Sequence, residues 1–229
     1  RAAKLGAERF VLDDGWFGNR DDDTRSLSDW TVDPRKYPDG LHPLIEHVHS
    51  LGMTFGIWFE PEMINEDSDI HRAHPDWVLG SEDQTLGRQQ KALNMALPAV
   101  RDYLYDRMSA ILRDHQIDYI KWDHNRVLPM PDASQTRGSY ALIDHLRADF
   151  PHVEIESCAS GGGRIDFGIL QRTQRVWLSD SNDALERLRI QHDAALFLPL
   201  SVTGSHVGPR HCHTSGRHLD ISFRAWVAA

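Results

Sequence analysis

The octapeptide YIKWDHNR, residues 119–126, places an aspartate two positions after a lysine at the end of a short apolar run. Side chains in a strand alternate faces, so Tyr119, Lys121 and Asp123 should share one face, with Ile120 and Trp122 on the other. An ammonium beside a carboxylate favours the ionised form, which suits a nucleophile or a charge stabiliser rather than an acid. A structural ion pair at a strand end reads the octapeptide equally well. Asp180, in VWLSDSND, closes another apolar run with no lysine near it in sequence, and partial burial there would raise its pKa. Two carboxylates in opposed states, one ionised and one protonated, are the pair that breaks a glycosidic bond. Asp183 competes for the structural role here. Aspartate is a favoured N-cap, and the helix expected from Ala184 takes Asp183, leaving Asp180 for chemistry. Trp58 and Glu60, also two apart, should face the same way and offer an apolar platform beside a hydrogen-bond acceptor; taken alone, Trp58 reads better as core.

Groups so far apart in the chain need a scaffold, and the sequence has one repeating grammar. Short apolar runs end in polar residues and give way to helical patterns. The runs cover residues 9–16, 54–62, 91–96, 118–126, 153–164, 176–183 and 200–207. Between them, Pro98 suits a first helical turn, and Val100, Leu104, Met108 and Ile111 recur on one face. Residues 183–198 read as another helix. Such alternation implies parallel strands joined by crossovers, an α/β fold. An open sheet gathers its ligand at one switch point, whereas a barrel uses many strand ends. Asp13, Asp14, Trp58, Glu60, Lys121, Asp123, Cys158 and Asp180 all fall at such ends, which favours a (β/α)8 barrel. The polar stretch 18–40 reads as a loop, because Trp30 and Tyr37 interrupt its charge.

The 229 residues suit one domain. A formal charge of -9 without a basic run argues against a nucleic-acid partner. No apolar run is long enough for a membrane span or a signal peptide. Two cysteines make no disulfide scaffold, and a reducing, cytoplasmic setting is the simplest reading. Fourteen histidines raise a metal site at His206, His211, Cys212 and His213, but adjacent residues of an extended segment point apart and no HExxH or paired CxxC accompanies them. No metal and no cofactor is expected.

DDGWFG, KWDHNR, ESCASGGGR and SDSNDALER, in this order and at these separations, resemble the α-galactosidases of glycoside hydrolase family 36. The resemblance runs from about Phe10 to the end and implies a (β/α)8 barrel and a retaining mechanism acting on terminal α-linked galactose. It implies Asp123 as nucleophile and Asp180 as general acid/base. Asp13 and Asp14 correspond to a pair that binds sugar hydroxyls, and Trp58, Arg88, Lys121, Asn125, Cys158 and Gly161 to further galactose contacts. The residue types agree: carboxylates and Lys121 read hydroxyls, and glycines let the backbone approach a ring. The implied partners are α-galactoside oligosaccharides such as melibiose and raffinose, with a homo-oligomer, a tetramer in the family, in the full-length protein.

The chain departs from the family at NMAL (94–97), where Asp-Leu-Ser is common, at CASGGGR against CSGGGGR, and at HVG (206–208) against HVS. It also starts without methionine and stops at AWVAA, so a piece of a longer polypeptide is expected: roughly strands two to seven, without the β-sandwich before the barrel or the small β domain after it. Such a piece has two unpaired sheet edges and should be poorly stable alone. Three rivals stay open: a galactosyltransferase of the raffinose or stachyose synthase type, an α-N-acetylgalactosaminidase, and a catalytically silent carbohydrate-binding remnant.

Overall fold

The computed structural model describes residues 1–130 and 132–229, in two compact units, Arg1–Ile155 and Glu156–Ala229. In the first, β1 (Arg9–Leu12) leads through a long loop to α1 (His42–Ser50) and β2 (Thr54–Phe59). An insertion comes next, formed by β3 (Met63–Ile64), the short α2 (Asp69–Ala73) and β4 (Lys91–Ala92). Then come α3 (Pro98–Asp114), β5 (Tyr119–Trp122) and α4 (Ala133–Asp149). β1 pairs with β2, and β2 with β5, all parallel, with Trp58 opposite Lys121. The expected face of α3 is the buried one: Val100, Leu104, Met108 and Ile111 all point inward. On α4, capped by Asp132, a Cβ at Gly138 would sit 2.0 Å from the Met95 carbonyl oxygen. Gln135 there accepts from Met95 N and donates to Leu93 O, so α4 holds the departing NMAL segment at van der Waals range.

One expected strand is corrected. The run 91–96 does not join the parallel strands; Lys91 and Ala92 pair antiparallel with β3, and Leu93 bridges antiparallel to Val78. Asn94 turns the chain, its side chain accepting from Ala96 N and its carbonyl from Leu97 N, and Pro98 then opens α3.

Residues 18–40 contain no helix or sheet strand but are held firmly. Trp30 is buried beside Trp16, Phe17, Trp58 and Phe59, with Phe17 and Trp30 edge to face at 4.8 Å; aromatic burial of this kind dominates core energetics. Asp33, also buried, accepts from Arg35 through main chain and side chain, and the guanidinium pulls its carboxyl down to about 2.

β6 (Glu154–Ser157) carries the chain into the second unit, which continues with α5 (Phe167–Leu170), β7 (Arg175–Trp177), α6 (Ala184–Ala194), β8 (Thr203–Gly204) and α7 (Ile221–Ala228). β6 pairs with β7, and β7 with β8, again in parallel. Asp183 caps α6 as expected, accepting from Leu185 N at 2.9 Å and Glu186 N at 3.4 Å. Among the described residues no helix is long and apolar enough to cross a membrane.

Candidate active site

In the first unit the candidate side chains stand where β1, β2 and β5 end. Asp123 comes directly after β5 and its main-chain N–H extends the pairing to Phe59 O at 2.8 Å. Asp123 is 7% exposed and its carboxylate takes donors on both oxygens: Trp58 Nε1 at 3.1 Å and Asn125 Nδ2 at 2.6 Å on Oδ2, and His124 N at 2.8 Å on Oδ1. Trp58 is buried among aromatics, as its core reading has it, and in addition donates to Asp123, a contact its sequence did not suggest.

Lys121, expected beside Asp123, donates to Asp13 Oδ2 at 2.8 Å and so ties β5 to the end of β1. Asp13 and Asp14 are both exposed. Asp14 is gripped by the Arg20 fork, Nε on Oδ1 at 3.0 Å and Nη2 on Oδ2 at 2.9 Å. Arg20 is buried, and its Nη1 donates to Arg25 O and Asn65 Oδ1. The sequence offered no sign of this arginine beyond its place six residues after Asp14.

Glu60, at the end of β2, is almost fully buried. Burial, with the Asp123 charge adding to it, pushes its carboxyl up to about 8 against the opposing bonds from Asn125 and Gln90. Glu62 is buried as well, accepting from Trp122 Nε1 at 3.0 Å and Ser139 Oγ at 2.5 Å. Arg88 is exposed at the tip of a tight turn closed by mutual Gly87–Gln90 bonds of 3.0 and 3.3 Å. Arg88 and Gln89 both have positive φ, 52° and 60°, a costly conformation for residues with a Cβ.

In the second unit Cys158 is buried at the end of β6. Gly161 has φ +95°, and a Cβ there would meet Ser179 Cα at 2.6 Å; the glycine is required by its own neighbouring backbone. Asp180 lies three residues past β7 and accepts from Trp177 Nε1 at 2.6 Å. The burial expected for it is absent: Asp180 is exposed, because β7 ends at Trp177. The cation missing from its sequence neighbourhood arrives from α6. Arg187 is buried, donates to Ser179 O and Gly204 O, and lies over the Trp177 ring at 5.1 Å. Burial pushes the Arg187 pKa down, and the Asp180 charge opposes that shift.

The structure thus gathers Asp13, Asp14, Trp58, Lys121, Asp123 and Asn125 in the first unit, with the Arg88 turn joined to Glu60 through Gln90. The second unit holds Cys158, Gly161 and Asp180. His211 of the HCH segment stacks on His218 and Cys212 is a buried free thiol; among the described residues no three His, Cys, Asp or Glu gather as a metal site. Chemically, the first unit presents a buried carboxylate fixed by neutral donors beside carboxylates and an ammonium suited to hydroxyl groups.

A sequence profile of the family described as Melibiase matches residues 1–229. The chain is 54% identical over 237 residues to an alpha-galactosidase of Escherichia coli, covering 100% of this chain and 34% of that protein. The solved structure of the family 36 alpha-galactosidase AgaA from Geobacillus stearothermophilus superposes with a TM-score of 0.91 at 41% identity, over 99% of this chain and 34% of that one. The galactosidase domain of the alpha-galactosidase-sucrose kinase AgaSK gives 0.93, also at 41%, over 99% and 32%. The chain spans about a third of the length of these relatives, and its parallel α/β architecture is that of a partial barrel of their kind. With a family match from end to end, the chain belongs to the melibiase family, the α-galactosidases of glycoside hydrolase family 36.

Proposed function

We propose that the protein carrying this chain is a retaining α-galactosidase that removes terminal α-linked galactose from oligosaccharides such as melibiose, raffinose and stachyose. The observation that supports it best is the Asp123 carboxylate, buried at a strand end with Trp58, His124 and Asn125 donating to it. AgaA of Geobacillus stearothermophilus has been solved with raffinose and, in another form, with stachyose. Asp123 attacks the anomeric carbon while Asp180 protonates the departing oxygen, giving a galactosyl-enzyme; Asp180 then deprotonates water, which releases galactose with its configuration kept. The fixed donors orient the attacking oxygen of Asp123, and exposure of Asp180 leaves it reachable by both leaving group and water. Asp13, Asp14, Arg88, Lys121 and Asn125 bind hydroxyls, and Trp58, Cys158 and Gly161 shape the sugar's surroundings. Residues 1–229 form part of the catalytic barrel, with the flanking β domains outside them, in a cytoplasmic, oligomeric enzyme.

The test is hydrolysis of p-nitrophenyl α-galactoside by the complete protein and by Asp123→Ala. The substitution should cost about 10⁴-fold in kcat, and azide should restore turnover as β-galactosyl azide. Undiminished activity in the variant would falsify the assignment. Product analysis with raffinose separates hydrolysis, which frees galactose, from transfer to a second sugar.

A further inference from the structure

Glu60 has no part in the two-step chemistry, yet it is the most enclosed carboxyl beside Asp123. One oxygen, Oε1, accepts the main-chain N–H of Asn125, and the other, Oε2, lies 2.9 Å from the Gln90 side-chain amide. Asn125 in turn places its Nδ2 at 2.6 Å from Asp123 Oδ2. The chain of contact therefore runs from Gln90 through Glu60 and Asn125 to Asp123, across the ends of β2 and β5.

The Gln90 amide is itself informative. It is completely buried, and its Oε1 has no donor among the described residues. The nitrogen and oxygen of such an amide exchange places by a half-turn of the last side-chain bond. As placed, Gln90 Nε2 donates to Glu60 Oε2 at 2.9 Å; after that half-turn the oxygen would face Oε2, where only a protonated carboxyl has a hydrogen to give. The nearby ionisable groups agree. Asp123, on the end of β5, repels a second negative charge; Glu62, two residues on, is engaged by Trp122 and Ser139; Gln90, in the turn before β4, is neutral.

We propose that Glu60 is a positioning residue that works as an uncharged acid, its hydroxyl donating to Gln90 while its carbonyl oxygen fixes Asn125 and, through it, Asp123. A charged Glu60 would place a second anion against the attacking carboxylate in a buried site, where like charges are most costly. A neutral one supplies the same hydrogen-bond geometry without opposing the charge on Asp123. The role rests on Asp123 being the nucleophile, whereas the protonation of Glu60 does not.

Two variants of the complete protein test this, Glu60→Gln and Glu60→Ala. Glutamine is the neutral mimic, able to accept from Asn125 and donate to Gln90, and should keep kcat on p-nitrophenyl α-galactoside within about threefold, whereas alanine should lose on the order of 100-fold, the scale of a misplaced reacting group. The difference infrared spectrum between wild type and Glu60→Gln at neutral pH should contain the carbonyl stretch of a protonated carboxylic acid. That spectrum needs no substrate, so it stands even where the galactosidase reading fails or Glu60→Ala does not fold. A spectrum without that band overturns the proposal, as does a glutamine variant as damaged as the alanine one in an enzyme that Asp123→Ala inactivates.

Discussion

Trp58 Nε1 lies 3.1 Å from Asp123 Oδ2, an indole donor aimed at a carboxylate across two neighbouring strands. Trp58→Phe keeps an aromatic ring against Phe17 and Trp30 but deletes that donor. A hydrogen bond to a charged group is worth about 1.5 to 3 kcal/mol, so kcat/KM should fall roughly 10- to 100-fold. Thermal unfolding should shift far less than the rate, and an equal loss in both would mean that Trp58 serves the core alone.

Arg20 is the buried arginine that holds Asp14. Arg20→Met leaves that carboxylate without its fork and Asn65 Oδ1 with the Leu27 main-chain N–H but without the guanidinium. Breaking a fully buried pair costs about 3 to 5 kcal/mol. Asp14 retains 32% of its side-chain surface, so a loss of roughly 2 to 3 kcal/mol by denaturant unfolding is the discounted expectation. Adding Asp14→Asn should recover part of the stability but none of the activity.

Two carboxyls should bend the stability curve in opposite directions. The Glu60 pKa is raised from 4.5 to about 8, so between those values the folded protein keeps a proton that the unfolded chain releases. Stability from this group is present below about 4.5 and is lost as pH rises through about 8. Glu60→Gln should therefore gain on wild type across that window by up to a few kcal/mol. Asp33 is lowered from 3.8 to about 2; its contribution is present above 3.8 and is lost as pH falls through about 2. Arg35 is half exposed, which limits that effect to about 1 kcal/mol. Melting temperatures of Glu60→Gln and Asp33→Asn across pH read both slopes.

Asp180 and Asp183 stand three residues apart and should separate cleanly. Asp183→Ala removes the cap of α6 and the partner of Arg217, at about 1 to 2 kcal/mol of stability. Asp180→Ala removes an exposed carboxylate and should leave the melting temperature nearly unchanged while abolishing hydrolysis of p-nitrophenyl α-galactoside. Azide acceleration of an activated galactoside in Asp180→Ala would mark it as the acid/base.

The parallel strands, the α3 face and the Asp183 cap were legible because each depends on residues close in sequence: alternation, a helical period, a carboxylate just before a helix. The β3–β4 pair was not, since an apolar run of six looks alike whether it enters a sheet or turns at Asn94. Arg20, Arg187 and the Gln90–Glu60–Asn125 chain were missed for a related reason. Gln90 comes from thirty residues away from Glu60, while Arg20 and Arg187 reach Asp14 and Ser179 only six and eight residues away, but across loops, where neither a strand nor a helix period registers the meeting. Asp180 shows the converse error, since an apolar strand does not bury residues beyond its own end.

The turn at Arg88 and Gln89 bears on how this protein can be improved. Asparagine and glycine suit a two-residue turn with both central φ values positive, so Arg88→Asn with Gln89→Gly should make the loop easier to form and the protein hardier. The same exchange would discard the guanidinium at the tip. Selection for heat resistance alone would favour that exchange; under the proposed function, in which Arg88 binds a sugar hydroxyl, selection for growth on galactosides would reverse it, so durability and usefulness pull a lineage in different directions at this pair of residues.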